Sequence, residues 1–229
     1  MASDPTSDGC YCGGVIGEEG TRAQHKRRTR ERIVQVATRL FLERGFAGVS
    51  VADIAAAAEV SKMTVFNYFD TKEDILLSQL ADQVDDAATA VRTRAADESP
   101  LTALRRRFVT KIGEQDPATG ICIGDEVIAF RTLILNTRSL TARLIEQTVQ
   151  AEQSLAAALQ ELPAADPLLA RVVAAQVIGA ERALMAANFD RVRSGASIDD
   201  LTALGARDAE RTYDLLADGL TDTVFGQSR

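Results

Sequence analysis

The amino-acid sequence predicts an all-α protein of about nine helices. From residue 29 onward, apolar residues recur at spacings of three and four. Neither sustained alternation nor an Asn-Gly hairpin turn interrupts them. Helix-opening signals also repeat along the chain: a Ser, Thr or Asp followed by proline, or by Asp three residues later. With 229 residues, 46% of them apolar, the chain can build a small domain joined to a larger one.

Residues 1–21 have no periodicity and are rich in Gly, Ser and Asp, so a disordered tail is expected there. The first helix should run from about Thr29 to Arg44, with Ile33, Val36, Ala37, Leu40 and Phe41 as its apolar stripe. Gly45 ends it in a left-handed C′ position, and Phe46 falls where an apolar contact back to Phe41 closes a Schellman motif. Ser50 caps a second helix, and Asp53 three residues on makes a short capping box. Ser61 caps a third through about Phe69. Thr71, with Asp74, opens a longer fourth to about Arg94, striped by Ile75, Leu76, Leu80, Val84, Ala87 and Val91.

Ser99-Pro100 is an N-cap followed by proline at the first helical position, and starts a helix carrying Leu101, Leu104, Phe108 and Ile112. Pro117 to Gly120 is a break. Helices follow at Asp125 to about Asn136 and at Ser139 to Leu162. Asp166-Pro167 opens a long helix to about Arg193, closed by Gly195. Ser197 with Asp200 begins the last, which carries Leu204, Tyr213, Leu216 and Leu220. The expected organisation is a tail (1–21), a small three-helix domain (22–72) and a larger helical domain (73–229).

Composition narrows the function. No apolar run reaches the roughly 18 residues of a membrane span, and none near the N-terminus reads as a signal peptide, so a cytoplasmic protein without membrane partners is expected. Cys10, Cys12 and His25 fall short of a zinc-ligand pattern, so neither a metal nor a cofactor is expected. Cys122 reads as a small buried hydrophobe. Net charge is −7, but Arg22 to Arg44 holds eight Lys or Arg against two Glu, while residues 75–229 are acidic. Phosphate attraction decays within about 8–10 Å at physiological salt, so this local cluster outweighs the total. No G-x-S-x-G, P-loop, H-E-x-x-H or G-x-G-x-x-G occurs, and one histidine leaves little acid–base machinery, so an enzyme is not expected.

The second and third helices, joined through the run Ala55 to Ser61, form a helix-turn-helix whose second member enters a major groove. That member presents Lys62, Met63, Thr64 and Asn67 on one side. Val60, Val65 and Phe69 pack on the other, with Phe66 and Tyr68 between. Lys can donate to guanine, Thr can bond a phosphate and touch a thymine methyl, and Asn can bridge polar base edges. Tyr68 and Lys72 are placed to hold the backbone.

Gly45-Phe46, Ser50, Ile54-Ala55, Val60-Ser61, Thr64, the run Phe66-Asn67-Tyr68-Phe69 and Lys72-Glu73 together resemble the TetR family of bacterial transcriptional regulators over about residues 28–76. The resemblance implies a homodimer, each subunit with an N-terminal DNA-binding domain and a larger helical domain that binds a small molecule. By that resemblance Lys62, Met63 and Thr64 read bases, and Ser50, Thr64, Asn67, Tyr68 and Lys72 hold phosphates; Arg28, Val51 and Phe66 complete the expected DNA-binding set. The chain departs from the family at Glu59, where glycine is usual. If that residue must be left-handed, a side chain costs about 1–2 kcal/mol.

Residues 131–146 resemble a subgroup whose ligand is acyl-CoA-like. Phe108, Ile112, Phe130, Ile134, Met185 and Phe189 are candidates for an apolar pocket wall, and Arg131 for an anionic head group; each also fits plain core. The last two helices are the expected dimer seam, the first of them rich in small residues from Ala170 to Ala187. The function expected is a ligand-responsive repressor, released from a palindromic operator by a small apolar or acyl-type effector that shifts the fourth helix. A thiol-responsive regulator using Cys122 and a ligand-independent dimeric regulator remain alternatives.

Overall fold

The computed structural model describes residues 16–121, 124–163 and 165–219. Among these, ten α-helices and two 3-10 turns make up the regular structure, and no strand occurs. In chain order they are α1 (Ile16–Arg44), α2 (Val51–Ala57), α3 (Lys62–Phe66), α4 (Lys72–Leu77), α5 (Asp86–Arg92), α6 (Pro100–Gly113), α7 (Asp125–Asn136), α8 (Arg138–Gln160), α9 (Pro167–Arg193) and α10 (Ile198–Asp218); the 3-10 turns are Ser78–Gln83 and Pro117–Thr119. The expected tail up to residue 15, Cys10, Cys12, Cys122 and Leu220 lie outside the described residues.

The helix starts follow the capping chemistry read from the sequence. Ser50 and Thr71 each close a full capping box, with Asp53 and Asp74. Ser61, Ser99, Asp166 and Ser197 accept backbone N–H groups at the starts of α3, α6, α9 and α10. Gly45 is left-handed at φ 74°, and the Phe41 and Phe46 rings meet at 4.8 Å.

Three boundaries differ from expectation. First, α1 begins at Ile16 instead of Thr29 and takes in the last six residues of the expected tail. No apolar stripe marks this extension; Gln24, Lys26, Arg27 and Arg28 are simply good helix formers. Second, α3 ends at Phe66, and Asn67 to Phe69 continue as a turn that still buries Phe69. Third, the expected fourth helix is not continuous. It divides into α4, a 3-10 turn and α5, which raises nine helices to ten.

That division has a physical cause. The stripe read from Ile75 to Val91 serves two cores: Ile75, Leu76 and Leu77 join one, while Ala87, Ala88 and Val91 join the other. The Ser78 hydroxyl bonds back to the Ile75 carbonyl at 2.8 Å, and Gln79 Nε2 donates to Thr38 of α1 at 2.8 Å. Beyond the turn, the Asp85 carboxylate accepts from Ser154 at 2.5 Å, and Asp86 from Arg107 at 2.5 Å. The two ends are thus anchored to different bodies.

The first core gathers Ile33, Ala37, Phe41, Ile54, Val65, Leu76 and Leu77 from α1–α4, and is closed by Ile134 and Leu140 from the α7–α8 corner. The second joins α5, α6, α8, α9 and α10 around Leu104, Ile112, Leu155, Val177 and Tyr213. Full burial of such a side chain contributes about 1.5–3 kcal/mol. The turn at Pro117–Thr119 docks on α9: Gly120, at φ 84°, lies so close that a Cβ would stand 2.1 Å from the Met185 carbonyl oxygen, and buried Asn188 donates to Thr119 O at 2.9 Å.

A charged cluster crosses the second core. Arg107 of α6 bridges Asp86 of α5 and Glu181 of α9; Lys111 reaches Asp86 at 2.6 Å, and the Tyr213 hydroxyl of α10 donates to Glu181 at 2.5 Å. Burial pushes the Asp86 carboxyl up, but Lys111 and Arg107 overcome it and hold the group below its ordinary value. Burial, with Glu181 alongside, drives the Tyr213 phenol well up, so it remains a neutral donor.

Candidate nucleic-acid interface

The first core is built by the long α1 and the short helices α2, α3 and α4. α1, α2 and α4 pack round the first core and seat α3 on it through Val65, fully buried, and Phe69 just beyond it. The outer face of α3 stays open: Lys62, Met63, Phe66 and Asn67 are exposed and Thr64 is half-buried. Met63 is 69% and Phe66 47% exposed, although burial of such large apolar side chains is favourable. The helix is divided into an exposed face and a packing face; Val60 and Tyr68 lie partly buried against the core.

The caps set the pose of the helix. Ser61 Oγ accepts from the Thr64 amide at 3.0 Å, and its hydroxyl pairs with Thr64 Oγ1 at 2.8 Å. Ser50 and Asp53 lock the start of α2 beside it; hydrogen bonds from the Ser50 hydroxyl and amide hold the Asp53 carboxyl below its ordinary range. Ser50 is exposed and Val51 half-buried at this rim.

The turn between α2 and α3 is left-handed at Glu59, with φ 52°. The glycine departure noted in the sequence therefore falls on a residue whose backbone favours glycine. The Glu59 carboxylate lies 4.0 Å from Arg32 of α1, and both groups are largely exposed.

Lys72 sits differently from its reading as a backbone contact. Its Nζ donates to the Phe46 carbonyl at 2.9 Å and the Val49 carbonyl at 3.4 Å, and stands 4.3 Å from the Phe46 ring centroid. It ties the start of α4 to the loop after α1. An ammonium has three donors, so one remains for a phosphate. Arg28 is exposed on α1, and Arg30 lies over the Phe69 ring at 5.1 Å. Sequence reading missed these inward and lateral contacts; only the aromatic positions at 46 and 69 hinted at them.

The expected pocket residues divide between the two cores and the segment between α6 and α7. Phe108 and Ile112 are buried in the second core; Ile134 is buried in the first, with Phe130 packed against it. Arg131 lies over Phe189 at 5.1 Å and donates to the Pro117 carbonyl at 3.2 Å, while Met185 abuts Gly120. The apolar residues of α7 in these clusters, Phe130, Leu133 and Ile134, belong to the first core. A recess of about 320 Å³ lies elsewhere, among Ser99, Leu101, Leu104, Leu159, Val173 and Leu216.

A short helix held outward by a small helical core, on a larger helical body, is a helix-turn-helix arrangement. Residues 33–78 match the model of the bacterial regulatory proteins of the tetR family. Over that fifth of the chain the sequence is similar to the TetR family of transcriptional regulators. It is similar to the regulator TcmR of Streptomyces glaucescens, 32% identical over 60% of this chain and 61% of that one. It is also similar to the repressor DhaR of Mycobacterium sp. strain GP1, 32% identical over 53% of this chain and 62% of that one. The chain thus spans about three fifths of the length of these curated relatives. In fold it is similar to a TetR-family regulator from Streptomyces coelicolor A3, at a TM-score of 0.52 and 23% identity, covering 88% of this chain and 99% of that one. Among the described residues, no helix is long and apolar enough to cross a membrane.

Proposed function

We propose that the protein is a homodimeric, ligand-responsive repressor that binds a palindromic operator through α3. The observation that carries this reading is the outward face of α3, where Lys62, Met63, Phe66 and Asn67 remain in solvent while Val65 and the Ser61 cap fix the helix. Lys62, Met63 and Thr64 would read base edges, with Phe66 reaching apolar surface in the groove. Arg28, Ser50, Val51, Asn67, Tyr68 and the remaining donor of Lys72 would hold the backbone. The names of the relatives, among them a repressor, support the sign of regulation.

The dimer seam is assigned to α9 and α10. α9 leaves Leu168 66% and Leu169 61% exposed, with Val172 and Val173 beside them, and carries small residues down to Ala187. Such a face is costly to leave in water and fits a twofold four-helix seam. The effector is assigned to the larger domain, as a small apolar or acyl-type molecule. Its signal passes through α5, the 3-10 turn and α4, and the effector acts only as far as it binds the two arrangements differently.

Sedimentation of the purified chain, with anisotropy titration of a labelled duplex, tests the reading. A dimer that binds duplex DNA, with affinity falling steeply as salt rises, is expected. A monomer at every concentration, or no binding at low salt, would overturn it.

A further inference from the structure

Ahead of Ile33, the described side chains of α1 bury almost no surface. From Ala23 to Arg32 every residue is exposed except Thr29, which is half-buried, and Ile33 is the first buried residue after them. This stretch carries Lys26, Arg27, Arg28, Arg30 and Arg32 against Glu31 alone. A helix that buries no face needs side-chain pairs to hold it. Arg27 and Glu31 provide one such pair, at 3.6 Å. Lys26 with Arg30, and Arg28 with Arg32, stand at i,i+4 and repel. The local electrostatics therefore oppose the helix, and a polyanion would relieve them.

The root of the segment is fixed beside the reading helix. Arg32 lies 4.0 Å from Glu59 in the turn before α3, and Arg30 covers Phe69 just after it. At about 1.5 Å per residue, Lys26 stands roughly 9 Å along the helix from Arg32, within about a Debye length of the α3 edge. Duplex DNA carries about one negative charge per 1.7 Å of axis, so backbone engaged by α3 continues past this segment.

We propose that the free N-terminal segment of α1 is a second DNA-contacting element, in which Lys26 and Arg27 bind phosphates beyond the stretch read by α3 and the helix is consolidated by that contact. The proposal rests on the reading of α3 as the DNA-binding helix and extends it.

The test compares the full chain with a Lys26→Ala/Arg27→Ala variant, by salt-dependent anisotropy on a random-sequence duplex roughly three helical turns long. The variant should keep the thermal midpoint of the parent, since neither side chain packs. Its plot of log affinity against log salt should be shallower by about two, with affinity down on the order of ten-fold at physiological salt. Helical circular dichroism should rise on adding duplex to the parent, and rise less in the variant. A charge-matched Arg92→Ala/Arg106→Ala variant, in the larger domain, should leave the slope unchanged. If the parent binds but both double variants give the parental slope, or both lower it equally, the segment is not a DNA contact. If the parent itself ignores the duplex, the reading of α3 fails and the proposal with it.

Discussion

Glu59 shows how one residue can be legible in sequence and still need geometry to weigh. The sequence marks it as the non-glycine at a turn, and the structure places it at φ 52°. Glu59→Gly should raise stability by about 1 kcal/mol: relief of the left-handed cost is partly offset by the entropy glycine brings, and the exposed Arg32 contact contributes little. Chemical denaturation checks this, and an unchanged midpoint would show that the turn carries no strain. Lys72 is the reverse case. The family resemblance suggests a phosphate contact, but a carbonyl cage from a loop more than twenty residues earlier cannot be read from local pattern. Lys72→Ala should therefore lower stability by about 1–2 kcal/mol and also reduce the salt slope by about one. Lys62→Ala should leave stability alone and relax base choice. Melting curves and binding to matched and mismatched duplexes separate the two roles; equal losses on all DNA for both would show them wrongly assigned.

Among the elements, those with local chemistry were legible. Caps at Ser50, Ser61, Thr71, Ser99, Asp166 and Ser197 placed six helix starts, because an N-cap is a contact within four residues. The break in the expected fourth helix was not legible, because its cause is tertiary: Asp86 is claimed by Arg107 and Lys111, about twenty residues on. That cluster gives the element-scale prediction. Asp86→Asn should destabilise the fold by about 3 kcal/mol, since it leaves the largely buried Arg107 short of a partner. The Asp86 carboxyl titrates below its ordinary value, so its contribution is present above that value and is lost as pH falls through the lowered one. Stability of the parent should thus fall more steeply than that of the variant below about pH 4. Parallel loss in both, followed by circular dichroism, would remove Asp86 from the acid transition.

At the scale of the whole molecule, the two-part architecture followed from length and periodicity; the seam on α9 is a proposal read from its run of small residues. The effector site did not follow, because an apolar stripe reads the same whether it lines a cavity or fills a core. Phe108 and Ile134 fall into different cores for that reason. If α9 is the seam, Leu169→Glu should yield a folded monomer with greatly weakened DNA binding, seen by sedimentation and anisotropy; a dimer of parental affinity would move the seam elsewhere. Two copies of α3 on a twofold axis must meet grooves about 34–36 Å apart, or a multiple of that. Selection of bound duplexes from a random pool by the purified chain tests this most directly. The expected result is an enriched palindrome whose half-sites keep that spacing; a pool that stays unenriched at low salt, or that yields only single asymmetric half-sites, would contradict it.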